Sequence, residues 1–278
     1  MSKRYKNIRT SIHFHDYYSR LKNIALSIYE WKGLPHTCNE RFLENTLFQD
    51  GHAVFIEDET MSFLNLKVTV EGLNVYNEGT KYTAHSTNYS KSYKAEECVY
   101  VRNNPLSKST DFTIALYAER LAGLELAIQV NINAQKTPVL LRCEEKMKKT
   151  VETIYAQYEG DKPVIVAGKA MSDKPLEVLK TDAPFVADRL REEKRALWNE
   201  ALEFLGINTN PSDKKKERLI VNEVDANNEQ IDMQSACFLA SRQKACELIN
   251  EKWGLNVSVR KRNLILEDDK IVEMEGDD

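Results

Sequence analysis

The sequence predicts an α+β chain in which long helices bracket a small antiparallel sheet and a second, compact α/β excursion. Three observations carry that expectation. Apolar residues recur at alternating steps of three and four over 11–31, 111–134 and 186–205, which is the helical period. Between 52 and 101 the pattern changes to β-branched and aromatic runs separated by Gly-containing turns. Finally, Asn133-Ala134-Gln135-Lys136-Thr137-Pro138-Val139-Leu140 and Lys180-Thr181-Asp182-Ala183-Pro184-Phe185 stop one long amphipathic segment and start another. Two antiparallel rods with an excursion at their tip follow from that layout.

Taken in order, the first helix is expected from Ser11 to Trp31, where Phe14, Tyr17, Leu21, Ile24, Ile28 and Trp31 form one stripe that Gly33 and Pro35 terminate. A shorter helix, Glu40 to Phe48, leads into Gly51. The strand candidates are Ala53 to Ile56, Leu64 to Val70, Asn74 to Tyr76 and Cys98 to Val101, while polar, Tyr-containing Ser86 to Ser92 reads as an exposed loop. Thr110 or Asp111 caps the next helix, which runs to Ala134. Its seam is Phe112, Leu116, Leu121, Leu124, Ile128 and Ile132; Ala115, Ala118, Ala122 and Ala127 keep its other faces small, so neighbours can approach on more than one side. In the excursion, Val139 to Arg142 and Pro163 to Val166 read as strands with a helix over 148–158 between them. A helix after Pro184 runs to Leu205 and ends at Gly206. The polar segment 208–228 reads as a loop, and a helix from Glu229 to Trp253 precedes a strand over Leu255 to Arg260.

A chain of 278 residues can hide roughly 75% of the surface it exposes when unfolded, yet this one is wet, with 29% charged residues and a mean hydropathy of −0.52. Some helices in such a chain are expected to bury their faces against neighbouring subunits or to remain solvated. No apolar run reaches the roughly 18 residues of a membrane span, and the N-terminus lacks the apolar core of a signal peptide, so a protein assembled in cytosol is expected. Net charge is −4, which disfavours an ordinary nucleic-acid binder. The charge is unevenly spread: Lys3, Arg4, Lys6, Arg9, Arg20 and Lys22 face only Asp16 in the first 22 residues, whereas 267–278 is acidic.

Tests for chemistry fail one after another. Gly168-Lys169 lacks a Gly five positions earlier, where Pro163 stands, and lacks a following hydroxyl, since Ala170 is next; the segment cannot be a Walker loop. The five histidines have no metal-ligand spacing. Five scattered cysteines (Cys38, Cys98, Cys143, Cys237, Cys246) make neither a zinc site nor a disulfide framework. No nucleophile elbow is present. No enzyme activity, metal or cofactor is therefore expected.

The quoted segments, together with Gln157-Tyr158-Glu159-Gly160 before Pro163-Val164-Ile165, Trp198-Asn199-Glu200, Phe204-Leu205-Gly206-Ile207, Glu229-Gln230-Ile231 and Gly254-Leu255-Asn256-Val257, resemble the upper collar protein of small short-tailed phages with protein-primed linear genomes. That family is also called the portal or head-tail connector. The resemblance runs through nearly the whole chain and is loosest at the tails and over parts of 57–110. It implies a portal fold assembled as a ring, expected as a dodecamer, at the capsid vertex joining head and tail of the virion. In that layout 1–10 is a basic arm, 11–50 a helical stem and wing segment, 51–110 a β-rich wing, 111–136 and 185–206 stem helices, 137–184 the clip, 207–228 a channel loop, and 229–278 wing and crown with an acidic tail. Implied partners are double-stranded DNA in the channel, major capsid and scaffold proteins, the packaging ATPase and the lower collar and tail proteins.

The resemblance also assigns site residues. Lys180, within Lys-Thr-Asp-Ala-Pro, and Arg189, where the family has Lys, match its channel cations. Lys214, Lys215, Lys216 and Arg218 fall in its mobile channel loop, and Lys3, Arg4, Lys6 and Arg9 in an arm that touches nucleic acid, including a packaging RNA in some members. Physically, DNA carries one charge per roughly 1.7 Å of axis and each neutralised phosphate adds salt-sensitive affinity, so a sliding duplex suits an acidic protein with few cationic rings. Without the resemblance, the residues would read as a soluble, non-enzymatic nucleic-acid-binding module.

Overall fold

The computed structural model of the chain describes residues 11–135, 139–143, 164–168, 176–178, 184–207 and 221–262. Two compact units are formed, one from His15–Ala118 and Asn199–Asp278, the other from Met1–Phe14 and Glu119–Trp198.

The first helix, α1 (Ile12–Ser27), stops four residues short of the predicted end, and Tyr29–Lys32 is a strand, β1. The apolar stripe fits a helix through Trp31, but Tyr29 and Trp31 also satisfy the alternation of a strand, and both are buried. A partner decides the matter. Trp31 lies opposite Val259 in an antiparallel pair with the last strand, and Arg260 closes it with a 2.7 Å ion pair to Glu30.

Helix α2 (Glu40–Asp50) begins where Asn39 accepts the Phe42 N–H, and the Asn65 side chain holds the Asn39 backbone through both its N–H and its carbonyl. It ends at Gly51, whose φ of 83° is left-handed. A Cβ there would also lie 2.5 Å from Ser107 O, so both conformation and space require glycine.

The sheet that follows has strands β2 (His52–Asp58), β3 (Ser62–Leu73), β4 (Gly79–Ser86), β5 (Tyr89–Lys94) and β6 (Cys98–Arg102), in the order β5-β4-β3-β2-β6, all antiparallel. Two sequence expectations change here. Asn74 to Tyr76 is a turn rather than a strand, and Ser86 to Ser92 contributes an edge strand rather than an exposed loop. The edge is held from one side: Tyr93 is buried, and Tyr89 donates a 2.8 Å hydrogen bond to Asp58. Val54, Ile56, Val68, Tyr82, Ala84, Tyr93 and Cys98 form the core on one sheet face. On the other, Phe55 meets Phe63 and Trp253 with ring centroids 5.7 and 5.4 Å apart.

Two long helices come next, α3 (Asp111–Ala134) and, after the excursion, α4 (Ala187–Phe204). The excursion contains β7 (Val139–Cys143), β8 (Val164–Gly168) and β9 (Leu176–Val178) in the order β8-β7-β9. Strand β9 is an addition to the strands expected from the sequence. Strands β7 and β8 pair in parallel and β7 and β9 antiparallel; the helix expected over 148–158 lies outside the described residues.

The last helix, α5 (Val221–Trp253), starts eight residues before Glu229, so part of the expected 207–228 loop is helical. Strand β10 (Ser258–Lys261) completes the pair with β1.

Candidate nucleic-acid interface

Of the ten cations singled out in the sequence, the described residues include Arg189. Lys180, Lys214, Lys215, Lys216, Arg218, Lys3, Arg4, Lys6 and Arg9 lie outside them.

The start of α4 is fixed by one side chain. Asn131, near the end of α3, accepts the Val186 N–H at 3.0 Å and donates to Pro184 O at 2.9 Å. Both bonds run to the short segment that Pro184 keeps out of helix, which sets where the helix can begin. Leu190 N–H then bonds Val186 O, placing Arg189 in the first helical turn. Farther along, Lys194 and Glu125 join the two helices at 2.7 Å.

Arg189 is exposed, and no ion pair holds it among the described residues. Its neighbour Asp188 pairs instead with Arg191 at 3.3 Å. A cation in the first turn opposes the helix macrodipole by about 0.3–1 kcal/mol. This position therefore supplies positive charge at a small local cost. At steps of three and four along the same surface stand Glu192 and Glu193, both exposed. Two carboxylates beside one guanidinium offset part of its positive potential.

On α3, burial and exposure divide an apolar helix. Ile114, Ala118, Leu121, Ala122 and Ile128 are buried, but Phe112 is 70% exposed, Leu116 45% and Val130 67%. The chain by itself covers one side of a helix that is apolar on more than one.

Sequence reasoning missed the charged network of the larger unit. Arg242 on α5 is 3% exposed and uses every guanidinium N–H: two donate to Glu44 at 2.9 and 2.8 Å, and the others to Asn103 O, Asn103 Oδ1 and Phe238 O. Glu44 also accepts from the Trp31 indole at 2.7 Å. The guanidinium lies 4.2 Å from the centre of the Tyr29 ring. Burial opposes the charge on Arg242, yet the facing Glu44 carboxylate raises its pKa above the ordinary value. Burial also pushes the Tyr29 phenol up to about 12, although Arg242 counteracts it. One signal was legible: Ser235, Ala245, Cys246 and Ile249 share a helical stripe with Arg242, which puts an arginine at a core position.

Among the described residues no three His, Cys, Asp or Glu side chains gather as a metal site, and no helix is long and apolar enough to cross a membrane. Cys98 and Cys246 are buried thiols pushed up to about 11 and about 12 by burial, whereas Cys237 is exposed.

Comparison with known proteins agrees with this geometry. The family model described as Phage Connector (GP10), a structural rather than catalytic family, matches residues 2–266. A chain from the portal and tail of native bacteriophage P68 is similar in fold, with a TM-score of 0.51 at 16% identity over 94% of this chain and 89% of that one. An HK97 family phage portal protein from Corynebacterium diphtheriae gives a TM-score of 0.45 at 8% identity, covering 94% of this chain and 95% of that one; the comparison of folds rests on the first. With a mixed helix-and-sheet architecture like that of a phage portal and a family match along nearly its whole length, the chain belongs to the phage connector family, the portal proteins of the virion's head–tail junction.

Proposed function

We propose that twelve copies close into a ring at one capsid vertex, around a channel through which double-stranded DNA enters during packaging and leaves during ejection. The observation that carries this reading is the apolar surface of α3, where Phe112, Leu116 and Val130 remain exposed on a helix whose other side is already buried. A helix apolar on several sides needs several neighbours. Rotational symmetry supplies them, since each copy meets a different patch on the next.

In this proposal α1, α3 and α4 form the stem, 137–184 the clip that docks the packaging ATPase and later the lower collar and tail, and the five-stranded sheet with α5 the wing that meets capsid and scaffold proteins. Arg189 and Lys180 become cationic rings, Lys214, Lys215, Lys216 and Arg218 line the channel loop, and Lys3, Arg4, Lys6 and Arg9 form an arm for nucleic acid, including a packaging RNA where one is used. Assembly takes place in the host cytoplasm. The exposed Arg189 with its two acidic neighbours supports a channel that steers DNA without gripping it. A monomeric nucleic-acid-binding module is disfavoured by the net charge of −4. Imaging purified particles face-on tests the proposal: twelvefold rings with a central hole are expected, and single chains that bind DNA with a steep salt dependence would refute it.

A further inference from the structure

The hairpin between β3 and β4 ends in an apolar knob that its own chain leaves uncovered. Leu73, Val75 and Tyr76 are 62%, 89% and 80% exposed. The turn is nevertheless firmly shaped. Asn74 Oδ1 accepts the N–H groups of Tyr76 and Glu78 at 2.9 Å each, Asn74 N–H bonds Glu78 O, and Asn77, with φ of 60°, donates to Asn74 O. A knob already held in one conformation loses little entropy on docking.

The same unit also carries an open groove of about 910 Å³ between the sheet and α5. Tyr82, Val99 and Tyr100 from the sheet and Ala245 and Leu248 from α5 give it an apolar lining. Its charges balance, with Arg102, Lys244 and Lys252 set against Glu78, Glu96 and Glu251. That balance does not select a polyanion such as DNA, which needs a surplus of cations. It suits an uncharged, apolar occupant, and Leu73 to Asn77 carries no charge.

We propose that the β3–β4 knob of one copy seats in the groove of the next copy. The proposal rests on the ring reading above. A closed ring joins two different patches of each chain, and a knob that leaves its own groove empty, beside a groove of matching chemistry, is such a pair.

Cross-linking decides it. Chains carrying Val75→Cys and chains carrying Leu248→Cys, both with Cys38→Ser, Cys143→Ser and Cys237→Ser so that of the native thiols only the buried Cys98 and Cys246 remain, are coexpressed and treated with a short bis-maleimide. A covalent dimer is expected in the mixture and absent from either chain alone, because each has one engineered thiol. A mixture that gives ring-sized particles but no more dimer than the separate chains would overturn the knob and leave the ring standing. Wild-type protein that forms no ring would overturn the ring reading itself. Independently, Val75→Asp with Tyr76→Asp should lower the ring fraction at least tenfold at fixed concentration while the circular dichroism of the chain is kept; an unchanged ring fraction would also overturn the proposal.

Discussion

Replacing Glu44 with Gln removes one charge from a pair that is 3% exposed on both sides and leaves the volume nearly unchanged. The variant strands the Arg242 guanidinium without its counter-charge. Its contacts with Asn103 and Phe238 persist, but the two shortest of its five hydrogen bonds lose their ionic partner. Breaking a buried pair from one side costs about 3–5 kcal/mol, against a total stability of about 5–15 kcal/mol for a typical domain. The melting temperature should fall on the order of 10 °C. Removing the second charge as well, by Arg242→Met in the Glu44→Gln chain, should restore part of the loss, which a double-mutant cycle reads directly. Denaturant midpoints followed by circular dichroism at one protein concentration are the assay. A loss below about 1 kcal/mol in Glu44→Gln would show that the network does not hold α5 to the rest of its unit.

Other perturbations address separate parts of the account. The Asp58 carboxyl is held down to about 2, chiefly by the Thr60 N–H and then by the Tyr89 hydroxyl, the Met61 N–H and Lys91, with burial opposing them. Its contribution is present above the unfolded carboxylate pKa near 3.9 and is lost as pH falls through about 2; Asp58→Asn should flatten acid unfolding over that window, and an unchanged profile would contradict the assignment. Lys180→Ala with Arg189→Ala should leave assembly intact but change DNA retention or passage, so normal packaging and retention in that variant would remove both residues from the channel. Leu116→Asp should shift the assembly toward smaller species without unfolding the chain, since that side chain is 45% exposed before any partner arrives; size-exclusion profiles identical to wild type would count against α3 as a subunit contact.

Local periodicity exposed most of this fold, and long-range pairing decided what it could not. Helix α3 and the β2, β3 and β6 strands follow the periods of their own residues. Tyr29 and Trp31 fit two periods at once, and the choice is made by Val259, at the far end of the chain. Strand β5 looked like a loop because an edge strand turns Ser90, Lys91, Ser92 and Lys94 to solvent; only Tyr89 and Tyr93, four residues apart, showed that one face was held. The Asn-rich start of α5 read as a loop because Asn favours turns over helix interiors. Arg242 was visible as a charge in an apolar stripe, but its partner Glu44 stands 198 positions away, and no local rule joins them. For the interface, sequence named Arg189, and the structure added its exposure, its place in the first turn and its acidic neighbours.

The ring is the central claim, and native mass measured across a range of protein concentrations tests it most directly. A dominant species of about 380 kDa is predicted, twelve times the 32.0 kDa chain, for the closed twelve-copy ring proposed above. A species that stays at 32.0 kDa at every concentration would contradict it.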